Sequence, residues 1–182
     1  DIVAGTVEVA TSSDLRSAEA LLSMNWYDRS CVRFDLLGGY RYLRFREGLL
    51  IQEDLVATGT SGNIEQGTTI GLFDRFDTSN SFHGATLGVL TNWQRGCFQL
   101  DVAAKLGVGN VQRRVRVDGQ TVVTTPDPDG SQSVVDTGLL ALSSNAGRHE
   151  DDTFGLLPEL NVEGRVFLSE CLSVDVGYNL LF

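Results

Sequence analysis

The sequence predicts an all-β protein of antiparallel hairpins arranged as an up-and-down barrel. Apolar residues alternate with a period of two through long stretches, and one six-residue pattern recurs three times around the cysteines. The turn signals add a third observation: the hairpin links are short at one end and long at the other.

The repeat comes first because it fixes the architecture. Cys31-Val-Arg-Phe-Asp-Leu36, Cys97-Phe-Gln-Leu-Asp-Val102 and Cys171-Leu-Ser-Val-Asp-Val176 share the form Cys, apolar, polar, apolar, Asp, apolar. Trp26 and Trp93 each precede a cysteine by a few residues, after Asn25 and Asn92. One face of the three segments carries Val32, Phe34, Leu36, Phe98, Leu100, Val102, Leu172, Val174 and Val176, all apolar. The other carries Arg33, Asp35, Gln99, Asp101, Ser173 and Asp175. A period of two means strands.

The strands entering these segments alternate in the same way. Ala18, Ala20, Leu22, Met24 and Trp26 oppose Ser17, Glu19, Ser23 and Asn25; Ala85, Leu87, Val89 and Trp93 oppose Gly84, Thr86, Gly88 and Asn92. Leu160, Val162 and Val166 oppose Glu159, Asn161, Glu163 and Arg165. Three-residue links, Asp28-Arg29-Ser30, Gln94-Arg95-Gly96 and Leu168-Ser169-Glu170, join the pairs as hairpins. The opposite connections are long, over residues 58–80 and 126–152. Short turns on one rim and long loops on the other are the habit of membrane barrels.

Alternation alone also fits a soluble sandwich or a lipocalin-like barrel with its apolar face inward. The second face distinguishes them. A solvated face is crowded with Lys and Glu, whereas this one mixes Gly, Ser, Asn and isolated charges of both signs, as a packed polar lumen does. Trp26 and Trp93 stand on the apolar face beside turns, where an interface girdle belongs. The pattern favours an antiparallel up-and-down transmembrane β-barrel. Six strands are well supported and about eight are needed for closure. Residues 3–11 and Val134–Leu142 offer two more, with strands N-terminal to this stretch as the alternative source.

The 182 residues suit one domain over 1–182. The net charge of −10 argues against a nucleic-acid partner, and Arg113-Arg114-Val115-Arg116 is too short a cluster to reverse that. There is no apolar run of transmembrane-helix length. Nor does a signal peptide open the chain, so it reads as a mature chain or an excised domain, the C-terminal part of a longer barrel among the options.

Further residues run in the order and spacing of a known family. These are Gly39-Tyr40-Arg41-Tyr42-Leu43; Asp74 with Phe76, Thr78, Asn80, Phe82 and Gly84; and Lys105-Leu-Gly107-Val-Gly109-Asn110. They continue with Gly138-Leu-Leu-Ala-Leu142, Ser144-Asn145-Ala-Gly147, Phe154 with Pro158-Glu159-Leu160, and Gly177-Tyr178-Asn-Leu-Leu-Phe182. From Thr6 to Phe182 the chain resembles the outer-membrane β-barrel porins of the planctomycete type, the seventh of the numbered β-barrel porin families. The resemblance implies a barrel in the bacterial outer membrane, with the lipid bilayer as its partner. It implies no catalytic or binding residue. One departure is the ending, Phe182 where many members close on Tyr.

The last strand has its own signal. Val174, Val176, Tyr178, Leu180 and Phe182 alternate with Ser173, Asp175, Gly177 and Asn179. A terminal aromatic after such alternation looks like the signal read by the barrel-assembly machinery, carried here by Val176, Tyr178, Leu180 and Phe182. Two rules conflict at this strand. The terminal Phe belongs on the periplasmic side, yet a strand starting at the short turns carries Phe182 to the long-loop rim, which is normally extracellular.

Ten charged residues fall on the polar face and are predicted to line the lumen: Glu19, Arg33, Asp35, Arg41, Asp101, Lys105, Glu159, Glu163, Arg165 and Asp175. They either line an aqueous pore or pair into a network that fills a narrow barrel. Their near-balance of sign favours pairing, because isolated buried charges are costly.

No cofactor or metal site is expected. The cysteines lack zinc-ligand spacing and are placed too far apart for disulfides. Asp127-Pro-Asp129-Gly130-Ser131 lacks the downstream Glu of a calcium loop and reads as a turn. Gly107-Val-Gly109-Asn110 reads as strand glycines, and His149-Glu-Asp-Asp152 as a solvated loop. Asp74, Asp77 and His83 flank one predicted loop and are the best enzyme candidates, but no spacing demands chemistry there and the chain reads as a non-enzyme. On this reading Leu100→Arg, on the lipid face near mid-strand, should impair membrane insertion.

Overall fold

The computed structural model describes residues 3–62, 64–126 and 130–182. Seven strands follow in order: β1 (Val3–Arg29), β2 (Val32–Ala57), β3 (Thr69–Arg95), β4 (Phe98–Thr124), β5 (Gln132–Val135), β6 (Gly147–Ser169) and β7 (Leu172–Leu181). They form one antiparallel up-and-down sheet in the order β1-β2-β3-β4-β6-β7, with β5 paired to β4 beside the path. The all-β class and the six main strands agree with the alternation. The sheet does not close among the described residues.

The predicted strands were too short because polar stretches were read as breaks. Residues 3–11 are no separate strand: β1 continues through Ser12-Ser13-Asp14 as one element of 27 residues. β3 begins at Thr69 and not after residue 80, so Asp74, Asp77 and His83 all lie within it rather than around a loop. β4 runs on through Arg113-Arg114-Val115-Arg116. His149–Asp152 belong to β6. Residues 12–14, 113–116 and 149–152 contain no Gly or Pro, Gly71 lies within β3 without ending it, and backbone pairing continues through polar residues when a neighbouring strand is present. The proposed eighth strand shrinks to β5, where Gln132–Val135 pairs with Thr121–Thr124. The turn reading of Asp127-Pro-Asp129 falls outside the described residues.

The short turns are one residue tighter than predicted. β1 and β2, β3 and β4, and β6 and β7 are joined by two residues each: Ser30-Cys31, Gly96-Cys97 and Glu170-Cys171. Ser30 and Gly96 have φ of 33° and 61°. Positive φ at the first turn residue suits the primed turns that match strand twist. The cysteine is thus the second residue of a two-residue turn. Its carbonyl also ties one hairpin to the next: Cys31 O accepts from Gln94 N at 2.8 Å, and Cys97 O from Phe167 N at 2.9 Å. All three thiols are free and exposed.

The chain gathers into two compact units. Unit 1 comprises Asp1–Leu15, Phe45–Asn80 and Arg113–Asp151, and so holds both long connections. Unit 2 comprises Arg16–Arg44, Ser81–Gln112 and Asp152–Phe182, and holds the three cysteine turns.

The C-terminal strand runs only partway along its neighbour. β7 has 10 residues and pairs with only the last part of β6, from Leu181 opposite Glu159 to Leu172 opposite Ser169. Phe182 N donates to Pro158 O at 3.0 Å, so the chain ends beside the middle of β6 and not at a long-loop rim.

Candidate functional site

In unit 2 the two faces have opposite character. The face carrying Leu22, Met24, Trp26, Leu87, Val89, Phe98, Leu100, Leu106, Val174, Val176 and Tyr178 is exposed, with Leu22 at 82% and Trp26 at 72%. The face carrying the predicted lumen charges is the covered one: Asp35 is 5% exposed, Arg41 7% and Glu159 6%. A sheet that turns its apolar residues outward and covers its charges inverts the burial of a soluble protein.

The inner charges converge. Lys105 Nζ lies 2.7 Å from Glu19 Oε2 and 3.1 Å from Glu159 Oε1, and Arg41 Nη1 pairs with Glu159 and, at 3.9 Å, with Glu19 Oε1. Asn179 Nδ2 donates to Glu159 Oε1 at 3.0 Å. Glu19 on β1 and Lys105 on β4 are three places apart in the sheet, as are Arg41 on β2 and Glu159 on β6. Neighbouring strands are spaced by about 4.8 Å. These pairs therefore reach across the sheet, which curls toward them.

Small residues make that reach possible. A Cβ on Gly88 of β3 would lie 2.8 Å from Lys105 Cγ, so the lysine stem crosses the sheet at this glycine. Likewise a Cβ on Gly107 would lie 3.1 Å from both the Phe82 ring and Leu157 Cβ. Phe82 is buried, and it fills the same face beside the ions.

The remaining six predicted charges explain the cysteine repeat. The repeat's aspartate is latched in each hairpin by a side chain of the incoming strand. Asn25 Nδ2 donates to Asp35 Oδ1 at 2.9 Å, Asn92 to Asp101, and Arg165 Nε to Asp175 Oδ1. A second donor holds two of them on the same strand: Arg33 Nε meets Asp35 Oδ2 at 2.9 Å, and Gln99 Nε2 meets Asp101 Oδ2 at 2.8 Å. In the third hairpin Arg165 Nη2 also donates to Glu163 Oε1 at 3.0 Å. A tight turn and a cross-strand latch thus recur at the rim of unit 2. All ten predicted lumen residues are paired, four in one cluster and six in the latches.

Aromatic side chains gather toward the same rim. Trp26, Tyr27, Trp93, Phe98 and Phe167 are exposed within a few residues of the turns, and Tyr27 and Phe34 stack obliquely with centroids 6.0 Å apart. Sequence reading found the two tryptophans. It missed a second exposed set, Tyr40, Phe154 and Phe182, farther along the strands. On that face Tyr40 Oη is hydrogen-bonded to His83 Nδ1 at 2.9 Å, and Tyr42 packs on the His83 ring.

Unit 1 contains one arrangement that sequence reading did not assign. Asp74 is 1% exposed, and its carboxylate accepts three consecutive backbone amides. Leu139 N donates to Oδ2 at 3.1 Å, and Leu140 N and Ala141 N donate to Oδ1 at 3.1 and 2.7 Å. Asn145 closes the loop from the other side, accepting from Leu142 N at 2.8 Å and donating to Leu140 O at 3.0 Å. Gly138 must be glycine, because a Cβ there would strike the Asp74 carboxylate. The separately noted Asp74, Gly138–Leu142 and Asn145 are therefore one clamp. The Asp74 carboxylate is committed to it. Asp74→Ala should leave three amides unpaired, so hydrogen exchange at Leu139, Leu140 and Ala141 should accelerate by at least about tenfold, each lost charge-assisted bond being worth about 1.5–3 kcal/mol. Unchanged exchange would mean the loop holds without the carboxylate.

Fold and site together define an antiparallel β-sheet protein with an ion-paired inner face and an apolar outer one in unit 2, the class to which β-barrel porins belong. The family model described as "Putative beta barrel porin-7 (BBP7)" matches residues 1–182, and the chain belongs to that family. No curated protein matches it.

Proposed function

We propose that this chain is part of a bacterial outer-membrane β-barrel whose polar inner face is filled by paired charges, acting as a structural membrane protein or a small porin. The exposed apolar face of unit 2, opposite covered ion pairs, carries the reading. In water, exposing Leu22, Leu87, Val174 and Val176 is unfavourable by about 25 cal/mol per Å²; in a bilayer that face needs no cover. Membrane-spanning strands need about 9–11 residues, and β7 has 10. The aliphatic residues lie between the turn-side aromatics and the set at Tyr40, Phe154 and Phe182, as a lipid-facing band lies between two interface girdles. The lipid bilayer is the implied partner, and the β7 ending on Phe182 suits recognition by the barrel-assembly machinery. The reading assigns no catalytic role and no cofactor.

The filled interior is favoured over a wide diffusion pore because Arg41 and Glu159 are buried against each other and Phe82 and Leu157 pack beside them. The experiment is a gel-mobility assay in detergent with and without boiling, followed by planar-bilayer recording. The expected result is a compact band that shifts on boiling, with small or no conductance. Large steady conductance would favour the wide pore. A protein that stays folded and monodisperse without detergent would overturn the membrane reading in favour of a soluble binding module.

A further inference from the structure

Unit 1 carries a groove of about 440 Å³ whose charges are sorted by side. β1 and β3 bring the acids Asp14 and Asp77 to the side that Gly48 leaves open; β4 and β6 bring Arg114, Arg116 and Arg148. Arg46 of β2 is the one exception to the sorting. Arg114 and Arg148 share Glu150, Arg114 at 3.5 Å, and Arg116 pairs with Asp118 at 2.6 Å. The guanidinium groups remain about half or more exposed, with side-chain exposures of 51% for Arg114, 67% for Arg116 and 63% for Arg148. Each thus keeps donors for a further partner, since a guanidinium has five N–H groups and one acceptor uses only one or two.

The floor is polar and open. A Cβ on Gly48 would lie 2.6 Å from Ser12 Oγ and 3.2 Å from Asp77 Oδ1, so this glycine keeps the space between β1 and β3 clear.

From this arrangement we propose that the groove binds a small zwitterion, an amino acid or short peptide. Its carboxylate lies against Arg114, Arg116 and Arg148, and its ammonium lies against Asp14 and Asp77. A purely anionic ligand would be repelled by the acidic wall, and a purely cationic one by the arginines. Pockets of roughly 300–1,000 Å³ accommodate small organic ligands. All the lining residues belong to unit 1, so the proposal stands independently of how unit 2 meets lipid.

The test is calorimetric titration of the folded full chain with glycylglycine, N-acetylglycylglycine, which lacks the ammonium, and glycylglycinamide, which lacks the carboxylate. The expected result is binding of glycylglycine and about tenfold or weaker binding of each blocked form, tenfold corresponding to about 1.4 kcal/mol. Equal binding of the acetylated form would make this an anion site, equal binding of the amide a cation site, and no binding of any of the three would leave no site; each overturns the proposal. Gly48→Leu fills the floor, displacing the Ser12 hydroxyl and pressing on the Asp77 carboxylate. With mobility before and after boiling unchanged, it should abolish glycylglycine binding, and retained affinity would place the ligand elsewhere.

Discussion

Leu87→Arg should cost about 2–4 kcal/mol of insertion free energy, the penalty for a cation at the middle of a barrel's lipid face. That is roughly a 30- to 700-fold fall in the folded-to-unfolded ratio. Leu87 is 64% exposed between Thr86 and Gly88 of β3, on the apolar face and well away from both the turn and the long connections. The alternation pointed to Leu100 for this experiment. The structure moves it, because Leu100 is the third residue of β4 after the Gly96-Cys97 turn and stands near the rim. Near an interface the same substitution costs only about 0–1 kcal/mol, so Leu100→Arg is the internal control. Both are checked by the fraction of heat-modifiable protein after refolding into phosphatidylcholine vesicles. The ordering decides between solvents. If the apolar face met water, Arg at an exposed position would be neutral for folding, and the two variants would behave alike.

The period of two made this face legible. Leu22, Leu87, Val174 and the rest are where a strict alternation puts them, and the ten charges opposite them have partners, which for Asp101 are the neutral amides of Asn92 and Gln99. The repeat was also visible, although its meaning was not. Cys31, Cys97 and Cys171 mark two-residue turns, and Asp35, Asp101 and Asp175 are held by partners 9 or 10 residues earlier. Only pairing across the hairpin reveals that latch.

Strand length was not legible, for a physical reason. A strand with one polar face offers Ser12, Ser13 and Asp14 in the same chemistry a loop would. Sequence cannot say whether a neighbour's amides continue to meet them. The Asp74 clamp was hidden for a related reason. Its partners lie 65 to 67 residues away, and a carboxylate that accepts backbone amides leaves no mark on the side chains it holds. The groove of unit 1 was invisible because its residues come from five strands.

Glu159→Ala should destabilise unit 2 by about 3–5 kcal/mol, because among the described residues it leaves Arg41 and Lys105 with Glu19 alone as a paired carboxylate. Arg41 is 7% exposed, too covered to recover its hydration where it stands. The double variant Arg41→Met/Glu159→Leu removes one charge of each sign and leaves the 2.7 Å pair of Lys105 with Glu19 intact. It should recover most of the loss, since apolar replacement of a buried pair is often neutral or stabilising by about 1–4 kcal/mol. Urea unfolding of the micelle-bound protein, followed through Trp26 and Trp93, gives both midpoints. Arg116, 67% exposed beside Asp118, provides the contrast: Arg116→Ala should shift the midpoint by about 0–1 kcal/mol, the usual worth of a surface pair. A Glu159→Ala loss as small as that of Arg116→Ala would mean that water reaches the inner face and solvates the abandoned cations, which is the behaviour of an open lumen. A large loss rescued by the double variant would mean that the ions themselves occupy the interior, and that the charge balance of the inner face serves to keep it closed.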